Sequence, residues 1–250
     1  MKKVLILLAT IVLFIPFLTS CRSDVGSTAD QKLVMATSAD FPPFQYKVDG
    51  EIVGLDVEIG RAIADRLGYE LVVVDKAFDS LIPALQRGEA DFVMAAMSVT
   101  ESRAALVDFS ISYYTGRQVI IVGADEADIM TPEDLEGQFI GVQIGTTGDD
   151  LATAAFGDDL VYRFSQGQEA LDALVAGRVS AVIIDDYPAA EFVEQVEGLR
   201  VLDTEFIEED YAIAFPLDSP YVERFNQVIE ELKANGSLQE IVDRFVNTGN

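Results

Sequence analysis

The feature that most constrains this chain is a unit that occurs twice. Ala84-Leu85-Gln86-Arg87-Gly88-Glu89-Ala90-Asp91-Phe92-Val93 recurs 89 residues later as Ala173-Leu174-Val175-Ala176-Gly177-Arg178-Val179-Ser180-Ala181-Val182. Each copy reads as a helix end, a glycine stop and a buried strand, because glycine readily takes the left-handed turn that closes a helix. Short apolar strands alternating with amphipathic helices predict an α/β fold, and the duplication suggests two lobes built on one plan. Leu33 to Thr37 and Leu71 to Val74 predict strands. Leu55, Ile59, Ile63 and Leu67 share one helical face that Gly68 closes. Thr131-Pro132-Glu133-Asp134 predicts a helix start, and Ser237-Leu238-Gln239-Glu240 predicts a capping box after the Asn235-Gly236 break.

The first residues follow different rules. Met1-Lys2-Lys3 precedes an apolar run, Val4 to Phe17, whose 14 residues fall short of the roughly 20 that span a bilayer. A basic start with a short apolar run predicts a secretory signal peptide over 1–20. Leu18-Thr19-Ser20-Cys21 resembles the lipobox of bacterial lipoproteins. That resemblance implies cleavage before Cys21 and a thiol carrying diacylglycerol, with palmitate-type acyl chains anchoring the protein to the membrane. Residues 21–31 are polar and small and predict a flexible tether, so folding is expected to start near Lys32, outside the cytoplasm.

Composition narrows the chemistry. With 17 Lys+Arg against 43 Asp+Glu, the net charge is −26 at pH 7, a field that repels phosphate backbones and argues against nucleic acid. The chain has no His, so the commonest general base and zinc ligand are missing. Its single Cys excludes an internal disulfide and any CxxC motif. No metal and no cofactor are expected.

In open α/β sheets, ligands bind outside the carboxyl ends of the strands. After the first repeat unit comes Met94 to Arg103, with Ser98 and Thr100 as helix-start residues and Arg103 in the first turn. The helix dipole disfavours a cation there, so Arg103 is a candidate carboxylate clamp facing solvent in a cleft. A surface ion pair with Glu101 or Asp108 is the competing reading. Ile140 to Gln143 reads as a strand running into Ile144 to Asp149, where Gly145-Thr146-Thr147 offers backbone N–H groups to an anion but lacks the lysine of a P-loop. A capped helix start is the alternative. Asp185 and Asp186 follow the second unit and compete as partners for an ammonium group, or as a helix cap. Phe41 and Phe78 are candidate stacking surfaces, with burial in the core as the default for either ring.

At these residues the chain resembles the extracellular solute-binding proteins, family 3, of polar amino-acid ABC transporters. The likeness covers about residues 32–246 and rests on Ala36 to Phe44, Val53 to Ile59, Phe78 to Leu85, Met97 to Arg103, Val142 to Thr147 and Ala181 to Asp185. It implies a two-lobed, type II periplasmic-binding fold with two crossover strands, closing on ligand like a hinged clam. Arg103 is similar to the family's carboxylate clamp. Ser98 resembles a contact to the amino acid, and Ala96 a carbonyl acceptor for its ammonium. Thr146 and Thr147 look like second-lobe contacts to the carboxylate, and Asp185 like the ammonium-binding acid. Phe41 and Phe78 look like the aromatic pair around the ligand side chain. The chain departs from many relatives at Ala95, where Ser or Gly is common, and at Ser38, where some carry an acid. Asp40 and Gln143 are the remaining candidates for reading the side chain.

The lobes are expected at 32–115 with 210–250 and at 118–207, with crossings near Gly116-Arg117 and Glu208-Asp210. The implied protein is a membrane-tethered, monomeric binding protein of the cell envelope. It captures a polar amino acid, with a lean to basic or amide side chains, and delivers it to an ABC permease. It is not expected to be an enzyme. The alternatives are a cyclohexadienyl or arogenate dehydratase-like enzyme on the same fold, or a ligand-sensing receptor domain.

Overall fold

The computed structural model describes residues 31–202 and 207–246. The signal segment and Cys21 lie outside the described residues. Among the described residues, no helix is long and apolar enough to cross a membrane.

The amino-terminal part comprises β1 (Lys32–Thr37), the small hairpin strands β2 (Asp40–Phe41), β3 (Gln45–Val48) and β4 (Glu51–Val53), then α1 (Leu55–Leu67) and β5 (Glu70–Asp75). There follow α2 (Leu81–Gln86), β6 (Phe92–Val93), α3 (Glu101–Ala104) and β7 (Asp108–Phe109). The middle comprises β8 (Tyr114–Gly123), β9 (Ile140–Gln143), α4 (Thr147–Phe156), β10 (Val161–Phe164), α5 (Gly167–Val175), β11 (Ala181–Asp185), α6 (Asp186–Gln195) and β12 (Leu199–Val201). The last elements are β13 (Glu208–Tyr211), β14 (Ala214–Phe215), α7 (Tyr221–Ala234) and α8 (Ser237–Val246).

Two larger sheets result, one per lobe. The first has the order β5-β1-β6-β14-β7, and the second β10-β9-β11-β8-β12, with β13 also paired to β8. The chain passes from the first sheet to the second along β8 and returns along β13. These two run antiparallel in the register Glu208↔Arg117 to Tyr211↔Tyr114. The largest buried cluster runs through both lobes, joining the first sheet to Val119, Ile121, Val182 and Ile184 of the second. Leu33, Met35, Ile59 and Ile63 pack with Phe92, Phe215 and Phe225, and the Phe225 ring meets each of the other two edge to face at 5.0 Å. In the second sheet Ile120, Val122, Ile140, Val142 and Ile183 pack together.

The repeated unit has the same local structure in both lobes. Gly88 and Gly177 have φ of +69° and +66°, and their N–H groups donate to Leu85 O and Leu174 O. The following N–H groups of Glu89 and Arg178 donate to Ala84 O and Ala173 O. Such paired reverse bonds satisfy the free carbonyls of a helix end.

Two local expectations change in detail. Thr131 does start a helix, with a reciprocal cap to Asp134, but Pro132–Leu135 is a short 3-10 helix of one turn. Gly137, at φ +78°, takes the left-handed conformation that stops it at once. At the carboxyl end, Ser237 is the first residue of α8, and Asn235 Oδ1 caps the turn by accepting the Ser237 N–H at 2.9 Å.

Candidate ligand-binding cleft

The carboxyl ends of β1, β6, β9 and β11 converge between the lobes on a narrow cleft. Ser38, Asp40, Phe41, Gln45, Phe78, Ala95, Ala96, Ser98 and Arg103 line one side, and Gln143, Thr146, Thr147 and Asp185 the other. All eight leading candidates from the sequence therefore meet in one place, as do Ser38, Asp40 and Gln143. Asp186 does not line it. As the first residue of α6 its carboxylate turns away and pairs with Arg117 at 2.9 Å, so Asp185 is the acid that faces the cleft.

Arg103 is the third residue of the short helix capped by Thr100, whose Oγ1 accepts the Arg103 N–H at 3.2 Å. Its side chain is buried, with 7% of its surface exposed, which corrects the expectation of a solvent-facing side chain. Nη1 donates to Ser98 O at 2.8 Å in the first lobe, and Nη2 to Gly145 O at 3.1 Å in the second. The guanidinium carbon sits 5.3 Å from the centre of the Phe78 ring, a favourable cation–π placement. Five N–H donors leave three beyond these two bonds for a ligand anion. Phe78 thus supports the guanidinium with one face, from a 3-10 turn (Phe78–Ser80) that leads into α2.

Two acids also line the cleft. Asp185, with 6% exposed, accepts a hydrogen bond from Tyr211. Burial pushes its pKa up to about 7 against the effect of that bond, and the nearby Glu209 charge adds to the rise. Burial also raises the Asp40 carboxyl, although Ser38 Oγ donates to it at 2.7 Å and Gln143 Nε2 at 3.1 Å.

The threonine hydroxyls are both engaged within the protein. Thr146 caps α4 and donates its hydroxyl proton to Gln143 O at 2.8 Å. Thr147 donates its own to Glu209 Oε2 at 2.7 Å. Neither hydroxyl has a proton left for a carboxylate, so in this lobe an anion is left with the free N–H groups at the start of α4.

Ala96 holds a left-handed φ of 47°. Its N–H donates to the fully buried Asp56 at 2.7 Å, and Tyr113 donates to the same carboxylate at 2.8 Å. Asp56 therefore fixes the loop that forms one wall. Gln45 was missed in the sequence. Only 1% of it is exposed, it lines the cleft, and its Oε1 has no partner within the protein. An unpaired buried acceptor points to a donor from the ligand.

A cleft between two lobes, lined by a buried arginine and a buried acid, has the architecture of a solute-binding protein. The chain belongs to the bacterial extracellular solute-binding proteins, family 3, whose profile matches residues 33–248. It is 35% identical to the arginine-binding extracellular protein ArtP of Bacillus subtilis, over 96% of each chain. Among solved structures it resembles an ancestral arginine-binding protein bound to arginine, with a TM-score of 0.82 and 35% identity over 86% of this chain and 98% of that one. It also resembles an ancestral amino acid-binding protein described as a precursor of cyclohexadienyl dehydratase, with a TM-score of 0.80 and 31% identity, over 86% of this chain and 95% of that one. The family is extracellular or periplasmic and serves amino-acid ABC transport. The protein is a binding protein, not an enzyme.

Proposed function

We propose that the cleft captures a basic amino acid, arginine first, and that the protein delivers it to an ABC permease. The observation that carries this reading is the charge balance of the cleft. Arg103 matches the ligand carboxylate and Asp185 its ammonium, which leaves the half-buried carboxylate of Asp40 in the cleft with hydrogen bonds only from the neutral Ser38 and Gln143. A ligand of net charge +1 supplies a cation. Gln45 Oε1, in the same cleft, is an open acceptor for a guanidinium N–H. An amide side chain, the other option from the sequence, brings donors but no charge to Asp40. The arginine-binding relative and structural neighbour support the same choice.

In this reading Phe41 and Phe78 flank the ligand side chain, Ala96 O accepts from the ammonium, and Ser38, Asp40 and Gln143 read the far end. Discrimination follows from desolvation, since each buried polar group that a ligand leaves unpaired lowers affinity. The pairing of β8 with β13 supports a hinge there, with lobes at 32–115 plus 210–250 and at 118–207. We also take Cys21 as the lipid-bearing residue that tethers a monomer to the membrane through residues 21–31.

A thermal-shift screen of the twenty amino acids tests the ligand class. A tight ligand stabilises by about 4 kcal/mol at a thousandfold excess over its Kd. Arginine is expected to give the largest shift and lysine or histidine the next. A larger shift with glutamine or glutamate would refute the basic assignment.

A further inference from the structure

Glu209 stands on β13 opposite Gly116 of β8, at the point where the two lobes join. It is half-buried beside the cleft, and none of the sequence motifs included it. One carboxylate oxygen, Oε2, accepts from Ser98 Oγ at 2.8 Å, from Thr147 Oγ1 at 2.7 Å and from Gln118 Nε2 at 3.1 Å. Ser98 belongs to the loop after β6 in the first lobe, Thr147 opens α4 in the second, and Gln118 is on β8 itself. A single oxygen thus gathers both lobes and the strand that joins them.

The direction of these bonds matters. A hydroxyl has one proton and can donate once. Both protons go to Glu209, so Ser98 and Thr147 turn only lone pairs towards the ligand. Gln118 Nε2 also donates to Thr147 Oγ1 at 3.2 Å, which occupies one acceptor site and leaves that oxygen one more. Lone pairs attract an ammonium N–H and repel a carboxylate oxygen.

We propose, building on the amino-acid reading above, that Glu209 is a specificity-determining positioning residue for the ligand's α-ammonium. It makes acceptors of Ser98 and Thr147, adds its charge to that of Asp185 on the same side, and holds the lobes together around the site. The carboxylate is then left to Arg103 and backbone N–H groups. The two ends of the ligand are sorted by hydroxyl orientation as well as by net charge.

Calorimetry with three ligands tests this on the wild type and on Glu209→Gln. The ligands are L-arginine, agmatine (arginine without its carboxylate) and 5-guanidinopentanoate (arginine without its α-amino group). Glu209→Gln should weaken arginine and agmatine alike, about 10- to 100-fold, the range for hydrogen bonds to charged groups. The preference for arginine over 5-guanidinopentanoate should fall by at least about tenfold, while the arginine-to-agmatine ratio stays within about threefold. Thr147→Val removes one of the lone pairs without touching β13, and should lower the same preference even if Glu209→Gln does not fold. Equal losses for all three ligands, or no loss, would overturn the assignment of Glu209 while leaving the amino-acid reading intact. A wild-type protein that binds none of the three would overturn both.

Discussion

In the proposed reading Arg103 serves ligand and scaffold together. Its guanidinium ties Ser98 O to Gly145 O, so Arg103→Ala should lower the melting temperature as well as affinity. Removing one member of a buried charge pair costs roughly 2–5 kcal/mol, and arginine should bind about 30- to several-thousand-fold more weakly. Arg103→Lys should recover only part, because an ammonium cannot reproduce the planar fork. Calorimetry and thermal unfolding on the three proteins check both effects. An alanine variant that binds within about threefold of wild type would remove Arg103 from the site. Asp185 adds a pH signature. Facing Tyr211, Gln118, Glu209 and Asp186, it keeps its proton up to about pH 7, whereas a bound ammonium favours the carboxylate. Binding therefore expels a proton below that pH, and affinity should fall by up to about tenfold per pH unit on acidification. Asp185→Asn should bind weakly with a flatter profile. Asp56 gives the corresponding signature in folding. Burial raises its pKa from 3.8 to about 7, so the stability it contributes is fully present below pH 3.8 and is lost as pH rises to 7. In Asp56→Asn, that part of the pH dependence of unfolding should vanish. At this scale the sequence was informative where local rules are broken: a cation in a first helical turn singled out Arg103. Gln45, Gln118 and Glu209 give no local signal, because their roles arise from contacts between segments far apart in the chain.

At the scale of elements, the duplicated unit reads directly into structure because a glycine helix stop depends on only a few neighbouring residues. Open space surrounds both Gly88 and Gly177, so an added Cβ meets no atom and only the left-handed backbone resists it. Gly88→Ala and Gly177→Ala should each cost about 1–2 kcal/mol, nearly the same in the two lobes, as denaturant unfolding would show. Gly116 is a different case. A Cβ there would overlap the Tyr211 hydroxyl, which crosses over Gly116 to reach Asp185. Gly116→Ala should push Tyr211 aside and release Asp185, weakening ligand binding well beyond any change in stability. Unchanged affinity in that variant would show that Tyr211 does not position Asp185. This close approach was not legible in the sequence, since it depends on the antiparallel register of β8 and β13. The shortfall at Thr131 and the shifted cap at Ser237 have a nearer cause: Gly137 ends one helix early, and Asn235 caps before Ser237 can.

For the whole molecule, alternating strands and helices with one repeated unit made the α/β fold and its two lobes readable. Their arrangement required long-range pairing, and the motif resemblance supplied it where periodicity could not. The cleft then follows from topology, because four strand ends from two sheets meet where β8 and β13 join the lobes. Every polar group named above serves one claim, that the cleft holds a basic amino acid by both ends of its backbone and by its side chain. The most direct test is calorimetric titration of the purified protein with L-arginine, set beside its D enantiomer. Three separate anchor points, Arg103, Asp185 and Asp40, fix a hand. One L-arginine should bind per chain with micromolar or tighter affinity, and D-arginine far more weakly. Equal binding of the two enantiomers, or no binding of L-arginine, would contradict it.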